Sequence, residues 1–239
     1  MRLLVAALMF VLCGHSGALL AADELAKSAP MANGQTINYI LTTASGEPPR
    51  YAVILMPGGP GILNPRLEGT KLVMSGGGNF LIRSRALFAT GPFVAASTDA
   101  TTTVDRMMAV INDIERRYGK IEIYLVGTSR STESTMGLAK PLDGRVAGFV
   151  HSSSMSAISS FDPRGLKSRH LIVLHAMDAC RATRPSAGVA SHRSYGTDLI
   201  TMEGGKSTGD DCEAYAYHGY NGIEKETVDK IKAWIVAGK

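Results

Sequence analysis

Six apolar, β-rich runs recur along the chain: 51–56 (YAVILM), 93–97 (FVAAS), 121–126 (IEIYLV), 146–151 (VAGFVH), 170–175 (HLIVLH) and 198–202 (DLITM). Most are apolar at successive positions, so both faces of the strand must be covered. That is the pattern of buried parallel strands, not of a sheet with one face in water. Between the second and third runs, Val104, Met107, Met108, Ile111, Ile114 and Tyr118 fall on one helical face, closed by Gly119. Beyond the last run, Val228, Ile231 and Ile235 mark one face of a final helix. Strands alternating with helices predict an α/β fold, a mostly parallel sheet flanked by helices. The stretch Ile37–Thr42 alternates apolar with polar residues and predicts an added antiparallel edge strand, whereas 179–197 reads as a loop.

A chain of 239 residues with 45% apolar composition fits one such domain, and no repeat or long low-complexity tract divides it. Residues 1–22 read as a signal peptide: Arg2, an apolar run Leu3–Cys13, and a small-residue exit ending at Ala22. The alternative, a membrane anchor, needs an uninterrupted span of about 20 residues, and Gly14, His15 and Ser16 interrupt this one. Lipidation at Cys13 would require a small residue where Leu12 stands. Cleavage after Ala21 or Ala22 leaves a catalytic domain over 23–239. It takes one cation, Arg2, from the formal +4 and leaves +3. The remaining cations are scattered without aromatic clusters, so no nucleic-acid partner is expected, and no stable membrane insertion after leader cleavage. Two cysteines remain, Cys180 and Cys212, and in an exported chain they predict one disulfide over the alternative of two buried thiols.

Open sheets of this kind carry chemistry in the loops after their strands. The run 121–126 is followed by Gly127-Thr128-Ser129-Arg130-Ser131 and then a small-residue segment. A strand, a sharp turn and a helix would hold Ser129 in a strained conformation that demands small residues two positions to either side. Gly127 meets that demand, while Ser131 departs from the commoner glycine. A serine hydroxyl needs a base. His218, in the Gly-rich loop 217–222 before the last helix, is the favoured candidate; His151, ending a strand, is its rival, and His170 and His175 bracket a strand and read as structural. Asp178, three residues past the run 170–175, is placed to orient His218, with Asp210 and Asp211 as alternatives nearer in sequence. The backbone amides of Arg130, Gly58 and Gly59 are candidates for an oxyanion hole. A Cys180–Cys212 bridge would tie the acid's loop to the base's. Gly205-Lys206-Ser207 lacks the first glycine of a phosphate loop, Gly76-Gly77-Gly78 lacks the flanks of a dinucleotide site, and no cluster has metal-ligand spacing. Neither cofactor nor metal is expected.

With Ser129, Asp178 and His218 in that chain order, the sequence from about residue 37 onward resembles the α/β-hydrolase superfamily. Pro57-Gly58-Gly59-Pro60-Gly61 is similar to the oxyanion loop of proline iminopeptidases, except that Met56 stands where those carry histidine. Asp178-Ala179-Cys180 and His218–Glu224 are similar to segments of secreted bacterial serine hydrolases. The resemblance implies the fold and a serine, histidine and aspartate mechanism, not a substrate. Only 18 residues separate His151 from His170, which leaves no room for a cap domain. An open, shallow site is expected, lined partly by 62–86 with Phe80 and Leu81 and partly by 179–197. It would suit a small ester or other acyl substrate and a carboxylesterase-like reaction. An amidase or peptidase on the same residues, or a non-catalytic binder on the same fold, remains the alternative. The sequence leaves the oligomeric state open.

Overall fold

The computed structural model describes residues 21–44 and 46–238. The leader expected over 1–22 lies, apart from Ala21 and Ala22, outside them. Eight strands form the main sheet: β1 (Ala22–Lys27), β2 (Asn38–Thr43), β3 (Tyr51–Met56), β6 (Phe93–Ser97), β7 (Glu122–Thr128), β8 (Gly148–Ser152), β9 (Arg169–His175) and β10 (Asp198–Met202). Two short strands, β4 (Arg66–Glu68) and β5 (Lys71–Val73), form a separate hairpin. The main sheet runs β1-β2-β6-β3-β7-β8-β9-β10. The pairings β1–β2 and β2–β6 are antiparallel and the rest parallel.

The six apolar runs are the six parallel strands, and the alternation of pleat sorts each buried strand between two cores. Ala52, Ile54 and Met56 of β3 pack on one face with Ile123 and Leu125 of β7, under helix α3 (Val104–Tyr118), which buries Met107, Val110, Ile111 and Ile114. Val53, Leu55, Tyr124 and Val126 face the opposite core, where Phe80 of α1 (Phe80–Arg83) and Phe88 of α2 (Arg85–Phe88) join Val228, Ile231 and Ile235 of α6 (Glu224–Ala237). Both faces are therefore covered, as the doubly apolar strands require.

Two expectations are corrected. β2 is not the edge strand: β1 pairs with it from Ala22↔Thr43 to Lys27↔Asn38. The sequence of β1, ADELAK, is largely exposed and charged, a composition suited to a sheet edge and poor in β-formers. The segment 179–197 is not all loop, because it contains α5 (Pro185–Tyr195). Its buried residues are the small Ala187, Gly188 and Ser191, so no large apolar stripe announces it. A side-chain carbon at Gly188 would come within 3.0 Å of both Ile172 and Leu174 of β9.

Candidate active site

β7 ends in Thr128, a 3-10 turn carries Ser129–Ser131, and α4 (Thr132–Ala139) follows at once. Ser129 takes φ +54°, a left-handed conformation that costs a non-glycine residue on the order of 1 kcal/mol or more. The bend is this sharp because its neighbours are bare. A carbon added to Gly127 would lie 2.6 Å from the Ser131 carbonyl oxygen, and one added to Gly58 would lie 2.9 Å from Ser129 Cβ and 2.8 Å from the Thr128 carbonyl oxygen. Ser131 is a working part of the turn: its buried Oγ accepts from the Thr128 amide at 2.7 Å and donates to the Met56 carbonyl at 2.7 Å. The turn is thereby tied to the end of β3, from which the glycine loop 57–61 departs.

His218 lies in a second 3-10 turn, Tyr217–Gly219, and only 6% of its surface is exposed. Its Nδ1 stands 3.0 Å from Asp178 Oδ2. Asp178 is buried too, and its other oxygen accepts from the Cys180 amide at 2.9 Å. Thr183 Oγ1 donates to Asp178 Oδ2 at 3.1 Å and lies 3.1 Å from His218 Nδ1. With Nδ1–H directed at the carboxylate, Nε2 of His218 is left as the acceptor. Ser129 and His218 border one cleft of about 600 Å³, and no hydrogen bond joins their side chains among the described residues.

The base loop is held by its own Tyr220 and Glu224 and by Ser153 and Arg83, which no sequence motif marks. Ser153 donates to the His218 carbonyl at 2.7 Å, and the Tyr220 hydroxyl donates to the Val173 carbonyl at 2.9 Å while accepting from the Ser153 amide at 3.0 Å. Arg83 donates to the carbonyls of Gly219 and Gly78, each at 2.6 Å, and pairs with Glu224 at 2.9 Å. Apart from the Arg83–Gly78 bond, these contacts join positions far apart in the chain, so only the completed fold reveals them. The Cys180–Cys212 disulfide is formed, and both its residues line the cleft beside Phe80, Met155 and Tyr215. Leu81, expected at the site, is instead buried in the core, because the first turn of α1 directs it inward.

Gly58, Gly59 and Arg130 all border the cleft. Arg130 opens a helical turn, where backbone N–H groups have no intrahelical acceptor, and the amides of Gly58 and Gly59 donate to no acceptor among the described residues. The arrangement can present three N–H groups beside one hydroxyl. His151 does not reach the cleft. It is fully buried, lies opposite Gly127 across the β7–β8 ladder, and bonds Thr135 Oγ1 at 2.8 Å and His170 Nδ1 at 3.1 Å. Asp210 and Asp211 are exposed and make no hydrogen bond or ion pair with His218 among the described residues. Among the described residues, no three His, Cys, Asp or Glu side chains are grouped to hold a metal ion.

No protein-family model and no curated protein matches this sequence. Solved structures do. A cold-adapted esterase from an Arctic intertidal metagenomic library superposes at TM-score 0.61 with 13% identity, over 94% of this chain and 99% of that one. An alpha-beta serine hydrolase homologue from Coxiella burnetii superposes at 0.59 with 15% identity, over 90% of this chain and 100% of that one. The chain has the α/β-hydrolase fold. A third structure, from Xanthomonas campestris and described as an a/b serine hydrolase without lid, superposes at 0.56 with 10% identity over 87% of this chain and 94% of that one. In the present chain β8 and β9 are joined by 153–168, whose helical content is the 3-10 turn Ser156–Ser160.

Proposed function

We propose that this chain is a serine hydrolase that cleaves carboxylic esters of small molecules through an acyl-enzyme. The observation that carries the reading is Ser129 at φ +54° in a cleft shared with His218, whose Nδ1 is bonded to the buried Asp178. In the proposed reaction His218 Nε2 takes the proton of Ser129 as Oγ attacks the ester carbonyl carbon. The oxygen that becomes negative is stabilised by the amides of Arg130 and of Gly58 or Gly59. Asp178 holds the imidazole in the required tautomer and offsets the positive charge it gains. Collapse of the adduct expels the alcohol, which leaves with the proton from His218. Water then attacks the acyl group, giving its proton to His218, and the acid departs as Ser129 recovers its hydrogen. The same residues would serve an amide.

A fluorophosphonate probe tests this directly. Wild type should be modified at Ser129, as located by peptide mapping, and Ser129→Ala should take no label; an unlabelled, folded, oxidised wild type would instead indicate a non-catalytic binder.

Export is part of the proposal. Disulfides persist in oxidising compartments, and Cys180–Cys212 spans the two loops that place Asp178 and His218. N-terminal sequencing of protein recovered from outside the cytoplasm should begin at Ala22 or Asp23; an intact Met1 there would count against a cleaved leader.

A further inference from the structure

The terminal torsion of an aspartate side chain is soft and roughly two-fold, so a carboxylate held at one oxygen still swings at the other. Asp178 is held at Oδ1 by the Cys180 amide, two residues on. The oxygen that faces His218 is Oδ2. Besides the imidazole it has one donor among the described residues, Thr183 Oγ1 at 3.1 Å. Thr183 is 2% exposed and does not border the cleft, so a substrate in the cleft does not touch it.

The backbone delivers this hydroxyl. The Thr183 amide donates to the Cys180 carbonyl at 3.1 Å and closes a turn over 180–183, which the bridge from Cys180 to Cys212 ties to the loop that carries the base. The Ala182 carbonyl accepts from the Ser156 amide at 2.8 Å and from Ser156 Oγ at 3.0 Å, which fastens the turn to the segment after β8. The turn is therefore closed without the Thr183 side chain. Both polar contacts of Oγ1 go instead to the acid and the base, and none goes to the backbone, among the described residues.

A hydroxyl carries one hydrogen and two lone pairs. With the hydrogen given to Asp178 Oδ2, what Oγ1 offers His218 Nδ1 at 3.1 Å is a lone pair. Nδ1–H thus lies between two acceptors, Oδ2 at 3.0 Å and Oγ1 at 3.1 Å. Both favour the tautomer that leaves Nε2 unprotonated, and both stabilise the imidazolium formed when Nε2 takes a proton. The other tautomer would set a bare Nδ1 against a buried carboxylate oxygen. Oγ1 can donate to that nitrogen only by withdrawing its hydrogen from Oδ2, which then loses a donor inside the protein.

Resting on the serine hydrolase reading, we propose that Thr183 is a positioning residue of the reaction: its hydroxyl stops the Asp178 carboxylate from turning and keeps Nδ1–H of His218 in place. The test follows 4-nitrophenyl acetate hydrolysis by Thr183→Val, which loses the hydroxyl and keeps the branch, and by Thr183→Ser, which does the reverse. One hydrogen bond to a charged group is worth about ten- to hundredfold, and kcat in Thr183→Val should fall by that factor. KM should stay within about twofold, since acylation and deacylation both use His218 and slow together. Thr183→Ser should recover kcat to within about threefold of wild type. A residue that only filled space would give the opposite ranking, because serine leaves the larger gap. Thermal melts establish that each variant is folded. If valine is not accommodated, Thr183→Ala is measured in wild type and in Asp178→Asn: a hydroxyl acting through Asp178 costs nothing further in the second background, whereas a gap costs the same in both. A valine variant as fast as wild type, a serine variant no faster than valine, or equal losses in the two backgrounds would overturn the role of Thr183 while leaving the serine hydrolase reading in place. Wild type that neither turns over the ester nor takes the fluorophosphonate label at Ser129 would overturn both.

Discussion

At the scale of single residues, Asp178 and Ser131 show how much one polar atom controls. Asp178 receives three donors, the Cys180 amide, Thr183 Oγ1 and His218 Nδ1, within a buried loop. In Asp178→Asn an amide NH₂ can occupy the position facing Nδ1 and favour the wrong imidazole tautomer. The kcat on a soluble ester should then fall by about 10⁴-fold, with Asp210→Asn and Asp211→Asn unaffected; the reverse ranking would transfer the acid's role to one of the latter. Ser131 was legible only as a departure from a glycine pattern. Its hydroxyl is the acceptor for the buried Thr128 amide, so Ser131→Ala leaves that N–H without a partner. Urea unfolding should report a loss of about 1–3 kcal/mol; an unchanged midpoint would show that the turn stands without the bond. Ser129, Asp178 and His218 could be singled out in the sequence because each follows a recognisable strand or precedes a recognisable helix. Thr183, Ser153 and Arg83 could not, since each bonds a base loop remote from it in the chain and carries no motif of its own.

At the scale of elements, legibility follows burial. Strands covered on both faces wrote long apolar runs, and α3 wrote a clear stripe. β1 and α5 were missed for opposite reasons, one being a charged edge and the other a helix that packs through small residues. Between β8 and β9 a further feature emerges only from pairing. The Thr135 hydroxyl donates to the Thr132 carbonyl, so His151 Nδ1–H donates to Thr135 and His151 Nε2 accepts from His170 Nδ1. His170 Nε2 has no partner among the described residues. Burial, reinforced by the neighbouring His170, holds His151 well below the usual imidazole value, and burial brings His170 down to about 4 against a weaker upward pull from Asp143. Both folded values lie below the unfolded value near 6.5. The unfolded chain therefore binds more protons below that pH, and stability present at neutrality is lost as pH falls through the window from about 6.5 to about 4. For His170 alone the loss by pH 4.5 is on the order of 2 kcal/mol. Denaturant midpoints at pH 7 and 4.5 should differ accordingly, and the difference should narrow in His170→Gln; a pH-independent midpoint would contradict the buried neutral pair.

At the scale of the whole molecule, the sheet order was not legible, although its mostly parallel class was, because pairing partners depend on crossovers that leave no local trace. The disulfide acts at this scale as well. It closes a loop of sequence separation 32, worth about 3–4 kcal/mol in a chain-entropy estimate, and it joins the loop after β9 to the loop before α6. Neither core contains it, so mild reduction should lower ester turnover while far-UV circular dichroism stays native; simultaneous loss of both signals would make the bridge a clamp on the fold instead.

Of the segment 153–168 only Met155 borders the cleft among the described residues, and that has a consequence for the fate of the acyl group proposed to form on Ser129. A closed site chooses which nucleophile enters. An open one leaves the choice to the medium, so the division of product between free acid and a transferred ester should follow the bulk ratio of water to alcohol. In dilute aqueous surroundings such a catalyst is a hydrolase by mass action.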